Sequence, residues 1–99
     1  MRVADIALKV RSKNAGPFWV TVDIFCGSAV AFARLSRLPT AAIARVYGQP
    51  EQLLKRFDIA ELNVIKISFP RPVVQGSRED RDMHGAQWAH LLAEMELGD

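Results

Sequence analysis

The sequence contains only one cysteine, Cys26, so the chain cannot form an internal disulfide, and a lone thiol fits a reducing compartment. It also lacks the CxxC, HxH and HExxH spacings of common metal sites. The two histidines, His84 and His90, are six residues apart, which would place them on different faces of a helix. We therefore expect neither a metal site nor a cofactor.

Long hydrophobic runs are absent as well. No apolar stretch approaches the roughly 18 residues that a membrane-spanning helix needs. Asp5 interrupts the first apolar stretch, which argues against a secretory signal. We expect a soluble cytoplasmic domain that makes no membrane contact.

The chain also has little excess of charge of one sign. It has 13 Lys and Arg residues against 11 Asp and Glu, and the cations are scattered among acids, as in "SREDRD". Nucleic-acid-binding domains usually concentrate their cations in a patch or stripe, so we expect no nucleic-acid partner. A length of 99 residues with 49% hydrophobic residues predicts one domain over residues 1–99.

A period-two alternation predicts two strands in the first quarter of the chain. Ile6, Leu8 and Val10 alternate with small or charged residues. Residues 18–24 show the same alternation and are rich in aromatic and β-branched side chains. Only "SKNAGP" separates the two runs. The pattern therefore predicts an antiparallel hairpin, with Gly16 providing the unusual backbone angle of the turn.

Helix-terminal residues mark the next part of the chain. Ser28 and Thr40 are typical N-cap residues, which predicts that a helix begins after each of them. Gly48 lies where the second of these helices should end.

The second half of the chain returns to strands. We interpret residues 53–69 as two strands, 53–58 and 63–69, separated by "IAEL", although one long strand is an alternative. A short helix over residues 87–90 and a last strand over 92–97 complete the prediction.

The predicted order is β-β-α-α-β-β-α-β. Strands in hairpins with helices inserted twice favour an α+β fold, a single-domain two-layer sandwich with helices on one face of a mostly antiparallel or mixed sheet. Among such folds we expect a ferredoxin-like arrangement.

The "SKNAG" segment is a candidate ligand site. Ser12, Lys13, Asn14 and the N–H of Gly16 are clustered donors that could hold an anion. The alternative is an ordinary hairpin turn, in which the asparagine favours the turn and the lysine favours solubility.

The strands next to this turn carry an unusual set of polar side chains. In an antiparallel hairpin, Lys9 and Arg11 share a face with Trp19, Thr21 and Asp23. One interpretation is purely structural, with a Lys9–Asp23 ion pair and an Arg11–Trp19 stack. The other is a polar patch at the mouth of a cleft, or a surface that docks on a partner.

Two further candidates have a structural and a chemical interpretation. Asp80 and Asp82 could do acid–base chemistry in a pocket, but Arg78 and Arg81 beside them favour solvated salt pairs. Cys26 follows an apolar strand, which favours a small buried hydrophobe over a nucleophile.

Five segments, "RSKNAGPF", "TVDIF", "TAAIARVYG", "IKISFPRP" and "DRDMHGAQ", resemble in this order a family of small proteins described only as a domain of unknown function. The resemblance runs from about Leu8 to the end of the chain. Members are typically encoded beside, or joined to, proteins of the acyclic-terpene-utilisation type, whose small C-terminal domain is ferredoxin-like.

The resemblance implies a surface rather than a reaction, because the family has no catalytic assignment to transfer. The positions that match its motifs are the candidate ligand- or partner-binding residues: Ser12, Lys13, Asn14, Gly16, Thr21, Asp23, Arg71, Asp80, Asp82, Gly85 and Gln87.

Three functions stay open at this point. The first, which we favour, is an accessory small subunit of a larger acyclic-terpene-utilisation-like enzyme that acts on small organic acids or CoA esters. The second is a stand-alone module that binds a small carboxylate, and the third is an independent enzyme with Asp23 or Asp82 as general base. A homo-oligomer is compatible with each.

Overall fold

The computed structural model describes residues 1–16, 18–70 and 85–97. In chain order the elements are α1 Val3–Ile6, β1 Lys9–Asn14, β2 Trp19–Phe25, α2 Ala29–Leu35, α3 Thr40–Tyr47, a 3₁₀ turn Glu51–Leu53, β3 Lys55–Ile59, a second 3₁₀ turn Ala60–Leu62, β4 Val64–Pro70 and α4 Gly85–Ala93. The four strands form one antiparallel sheet in the order β1-β2-β4-β3.

The α+β class is therefore confirmed, and so is the β1–β2 hairpin. The ferredoxin-like arrangement is not confirmed. That fold has the element order β-α-β-β-α-β, whereas here β1 and β2 follow one another directly, β3 and β4 come after α2 and α3, and the sheet order is 1-2-4-3. The predicted last strand over residues 92–97 is wrong. Helix α4 continues to Ala93, and only an isolated bridge between Arg2 and Glu96 follows it.

A helical turn, Val3–Ile6, includes the residue at which the sequence predicts the first strand to begin, and β1 starts only at Lys9. The carboxylate of Asp5 accepts a hydrogen bond from the backbone N–H of Arg2 at 2.8 Å, which closes this turn and lowers the pKa of Asp5. Val3 is fully buried and anchors the turn, whereas Leu8 is 71% exposed. The alternation of three apolar residues was too short to identify a strand.

Strand β1 extends further than predicted. Ser12, Lys13 and Asn14 belong to the strand rather than to a loop, and the reversal begins where the N–H of Ala15 donates to the carbonyl of Trp19. Gly16 has φ +78°, which is the predicted turn geometry. Pro17 lies outside the described residues.

The helix caps follow the sequence in part. The hydroxyl of Ser28 accepts a hydrogen bond from the N–H of Ala31 at 3.1 Å, as a cap should. Pro39, not Thr40, is the cap of α3, so Thr40 is the first helical residue. Gly48 ends α3 with φ +64°.

The core lies between the helices and one side of the sheet. Val20, Val22 and Ile24 of β2 are fully buried, and their cross-strand partners on β4, Phe69, Ile67 and Ile65, are at most 1% exposed. These six side chains form a continuous apolar layer under the helices.

An aromatic cluster connects α3 and α4 to this layer. The Tyr47 ring stacks on Phe69 with centroids 4.6 Å apart, and Trp88 packs edge-on against both rings. The Tyr47 hydroxyl donates a hydrogen bond of 2.7 Å to the Trp88 carbonyl. Burial raises the pKa of Tyr47, so the hydroxyl stays protonated at neutral pH.

Arg56 fastens β3 to the end of α2. Its guanidinium donates to the carbonyls of Ser36 and Leu38, and it pairs with Asp58 at 2.9 Å. These carbonyls lack helical partners because α2 has ended, so the side chain satisfies a backbone requirement. Arg56 is thus a structural residue.

Replacing Tyr47 with phenylalanine should lower the free energy of unfolding by about 1 kcal/mol, because one buried hydrogen bond is lost while the ring packing is retained. Urea denaturation at neutral pH measures the change. An unchanged midpoint with an unchanged m value would show that the hydroxyl does not help to hold α4.

Candidate functional site

One side of the sheet is not covered by any helix that the structure describes. Because side chains alternate along a strand, burying Val20, Val22 and Ile24 turns their neighbours to the opposite side. We call this side the open face, and it consists of Lys9, Arg11, Lys13, Trp19, Thr21, Asp23, Phe25, Lys55, Phe57, Ile59, Val64, Lys66, Ser68 and Pro70.

The open face combines cations with aromatic rings. The Nζ atom of Lys9 lies 5.0 Å from the centroid of the Phe25 ring, and the Nζ atom of Lys55 lies 5.0 Å from that of Trp19. Both distances are within the range of cation–π attraction. Phe57 has no such cover and is 54% exposed.

Asp23 is the one acidic side chain among the residues of the open face. In the strand register it lies opposite Arg11 on β1 and opposite Lys66 on β4. No hydrogen bond or ion pair to Asp23 is found in the described part of the chain, and its Oδ1 atom is buried. A buried carboxylate oxygen without a donor is unusual, because the lost hydration is not replaced.

The structure corrects the cross-strand pairs that the sequence suggests. Lys9 lies opposite Phe25 rather than Asp23, and Arg11 lies opposite Asp23 rather than Trp19. Because β1 continues to Asn14, the hairpin pairs residues that are further apart in sequence than the predicted pairs. The shared face itself is as predicted.

The "SKNAG" donors do not converge on one point. Ser12 is on the helix side, where its hydroxyl accepts a hydrogen bond of 3.1 Å from the N–H of Ala89 in α4. Lys13 is on the open face opposite Thr21, and Asn14 shares the helix side of β1 with Ser12. Strand alternation thus separates residues that are adjacent in sequence.

Only some of the other predicted site residues lie on the open face. Thr21 and Asp23 are on the open face, and the Thr21 hydroxyl lies 3.3 Å from that of Ser68. Gly85 begins α4. Four of the predicted residues lie outside what the structure describes: Arg71, Asp80, Asp82 and the side chain of Gln87.

A depression of about 350 Å³ lies at the β1 side of the open face. Arg11, Lys13, Asp23 and Phe25 line it. Two cations beside one carboxylate make it a place where an anion can bind. It is open to solvent rather than a closed pocket.

The sequence missed half of the open face. Lys55, Phe57 and Lys66 come from β3 and β4, which reach the β1–β2 hairpin only through the pairing of β2 with β4. The alternation in "VIKISF" indicates that Lys66 points away from the core. The sequence around it does not indicate which strand lies beside it. The sheet brings together cations that are scattered in the sequence. Their dispersion along the chain is therefore no evidence against a basic surface.

The structure confirms that Cys26 is buried, with 3% of its surface exposed. Burial raises the pKa of its thiol, and the charge of Asp58 raises it further. A protonated and buried thiol is a poor nucleophile. Within residues 1–16, 18–70 and 85–97, no cluster of three or more potential metal ligands is found, and no helix has the length and hydrophobicity to cross a membrane.

Comparison with known proteins identifies the family. The family model described as "Domain of unknown function (DUF4387)" matches residues 3–96. The chain belongs to the DUF4387 family. Searches of the curated proteins and of the solved structures gave no significant match.

The match confirms the expected resemblance to a small domain of unknown function. It covers α1, all four strands and α4, so both sides of the sheet belong to the DUF4387 domain. Its association with acyclic-terpene-utilisation-like proteins stays a prediction.

Substituting Ser12 by alanine should destabilise the DUF4387 domain by about 1 kcal/mol, because the Ala89 amide loses its hydroxyl partner. Lys13→Ala should change stability by less than about 0.5 kcal/mol, since the side chain is exposed. Thermal or urea unfolding of both variants measures the difference. Equal stability of the two variants would contradict the assignment of Ser12 to the fold.

The Cys26 thiol should react with a disulfide reagent at least 100-fold more slowly in the native protein than in urea. The physical reason is its burial together with its raised pKa. Stopped-flow measurement at pH 8 compares the two rates. A native rate equal to that of a free thiol would show that the strand opens readily around Cys26.

Proposed function

We propose that this DUF4387 domain is an accessory small subunit or domain that binds a larger protein through the open face. The observation that carries the proposal is the combination of aromatic and cationic side chains on a sheet surface that no described helix covers. Aromatic residues are enriched where proteins bind each other, and a patch of like charge steers the approach of an oppositely charged partner. A sheet that only faced water would present mostly small polar residues.

The charge of the face defines the partner. It carries five cations, Lys9, Arg11, Lys13, Lys55 and Lys66, against the single carboxylate of Asp23. A second copy of the chain docked face to face would bring like charges together, which is unfavourable. A different protein with an acidic surface is the better occupant, and any homo-oligomer would use another surface.

A protein also fits the face better than a nucleic acid does. Single-stranded nucleic acids bind by stacking bases on exposed rings. Here Lys9 and Lys55 already lie over the rings of Phe25 and Trp19. The Asp23 carboxylate would also repel phosphate groups, whereas a protein surface can bring a hydrogen-bond donor to it.

The family resemblance names the expected partner. Its members are typically encoded beside, or joined to, acyclic-terpene-utilisation-like proteins, so we propose a larger enzyme of this type, acting on small organic acids or CoA esters in the cytoplasm. The small domain would complete or regulate that enzyme. It would supply a surface rather than a catalytic group.

Co-expression with the adjacent acyclic-terpene-utilisation-like protein should give a complex that survives affinity capture. The double variant Phe57→Ser/Lys66→Glu should weaken it more than tenfold, about 1.4 kcal/mol, because it removes an exposed ring and reverses a charge on the open face. Val30→Ser/Arg37→Glu is the matched control on α2 and the segment after it, with the same kinds of change. Equal binding by both variants, or no complex at all, would reject the proposal.

The depression beside Asp23 supports a second candidate, a stand-alone module that binds a small carboxylate. Arg11 and Lys13 would hold the anion there. Calorimetric titration with acetate, succinate and a CoA ester would show binding that Arg11→Ala abolishes and Arg45→Ala preserves. Binding that Arg11→Ala leaves intact would exclude the depression.

A further inference from the structure

Strand β1 is an edge of the sheet, and its backbone indicates which residues face outward. The N–H of Ala15 donates to Trp19 on β2, and the N–H of Cys26 donates to Asn63 next to β4. Hydrogen-bonded and non-hydrogen-bonded positions alternate in an antiparallel pair. Both bonds therefore place the outward N–H and C=O groups of β1 on Val10, Ser12 and Asn14.

A groove of about 510 Å³ runs along this edge, and we call it the edge groove. Ala4 and Ala7 line it from the α1 side, and Ala89 and Ala93 line it from α4. Alanine methyl groups leave room beside the strand that larger side chains would fill. The outward backbone groups of Val10 and Ser12 thus border an open, apolar space.

The two sides of β1 have different chemistry. Lys9, Arg11 and Lys13 point to the open face, all with the same charge. On the helix side, the wall is formed by Ala4 and Ala7 at α1 and by Ala89 and Ala93 of α4, with His90 beside them. A strand placed beside β1 would therefore have cations next to one of its sides and methyl groups next to the other.

We propose that the edge groove accepts an extended segment of a partner protein as a fifth strand, in which acidic residues alternate with apolar ones. The backbone groups of Val10 and Ser12 would pair with it, its acids would lie beside Lys9, Arg11 and Lys13, and its apolar side chains would enter the space between the alanines. β1 has six residues, so the complementary segment is about six residues long. The edge groove shares Lys9, Arg11 and Lys13 with the open face, but its backbone pairing and its alanine wall belong to β1, α1 and α4 and do not depend on docking at the open face.

Two other occupants fit less well. A second copy of β1 would place lysines and arginines opposite one another, which is destabilising in a cross-strand pair. Residues 94–97 of this chain, "EMEL", have the required alternation. They already pair with the start of the chain, where Val3 N–H donates to Met95 and Leu97 N–H donates to Met1.

The test uses a fluorescein-labelled peptide, Glu-Val-Glu-Val-Glu-Val with a Gly-Ser flank at each end. Amide hydrogen exchange of the intact chain should slow more than tenfold at Val10 and Ser12 when the peptide is saturating. The Lys-Val analogue and a peptide with three glutamates followed by three valines should bind more than tenfold more weakly in anisotropy titrations. Unchanged exchange at both amides, or slowing at Arg56 and Asp58 on the opposite edge, would overturn the proposal.

Variants separate the groove from general electrostatic attraction. Ala93→Phe should fill the space and weaken peptide binding more than tenfold, whereas Ala41→Phe on the exposed side of α3 should not. Lys9→Glu/Lys13→Glu gives a second test if Ala93→Phe fails to fold, with Arg37→Glu/Arg45→Glu as a control of equal net charge. If a control variant lost as much peptide binding as its test variant, then charge or side-chain size alone, not the groove, would determine binding.

Discussion

The alternation of side chains along β2 and β4 is the constraint on which the rest of the domain depends. Three cross-strand pairs, each with both members buried, hold the helices against one side of the sheet. A slip of one residue would turn Asp23 and Lys66 into that core, which is far costlier than any local gain. The register is therefore strongly specified, and whatever lies between the buried residues must form the open face.

Three polar side chains help to hold the helix layer together and against the sheet. Tyr47 donates to the Trp88 carbonyl of α4, Ser12 accepts a hydrogen bond from the next N–H of that helix, that of Ala89, and Arg56 donates to the carbonyls that follow α2. Each of these side chains is bonded to a backbone group, which fixes the position of the segment that carries it. Because these contacts lie on the helix side, substitutions on the open face can change binding without loosening the core.

The predictions from sequence succeeded where the information is local. The two strands of the hairpin, the Ser28 cap and the end of α3 at Gly48 follow from spacing and residue type alone. The helical turn at the start of the chain was not predicted, because it depends on one contact between Arg2 and Asp5 that no periodicity marks. The prediction of a last strand was wrong because α4 does not end at residue 90, as predicted, but continues to Ala93.

The candidate site shows the same division. Its β1–β2 half was predictable, since a hairpin with a short turn brings Arg11 and Asp23 to one face. Its β3–β4 half was not, because Lys55 and Lys66 join the face only through the pairing of β2 with β4, two segments roughly forty to fifty residues apart in the chain. Ser12 was assigned to the site because the sequence placed it in a loop together with Lys13. In the strand, Ser12 and Lys13 point to opposite sides of the sheet.

The open face has features that a domain acting alone would not need. Within the described part of the chain no donor reaches the buried oxygen of Asp23, and an unsatisfied buried group of this kind costs on the order of 1–3 kcal/mol, offset in part by the positive charge of Arg11 and Lys66 on either side. Five like charges on one surface also disfavour contact between copies of the chain. Both features become favourable together when an acidic protein covers the face and brings a donor to Asp23. An acidic partner is then attracted by the charges, and only one that carries the donor in the right place recovers the energy at Asp23, so attraction and specificity come from different atoms of the same surface.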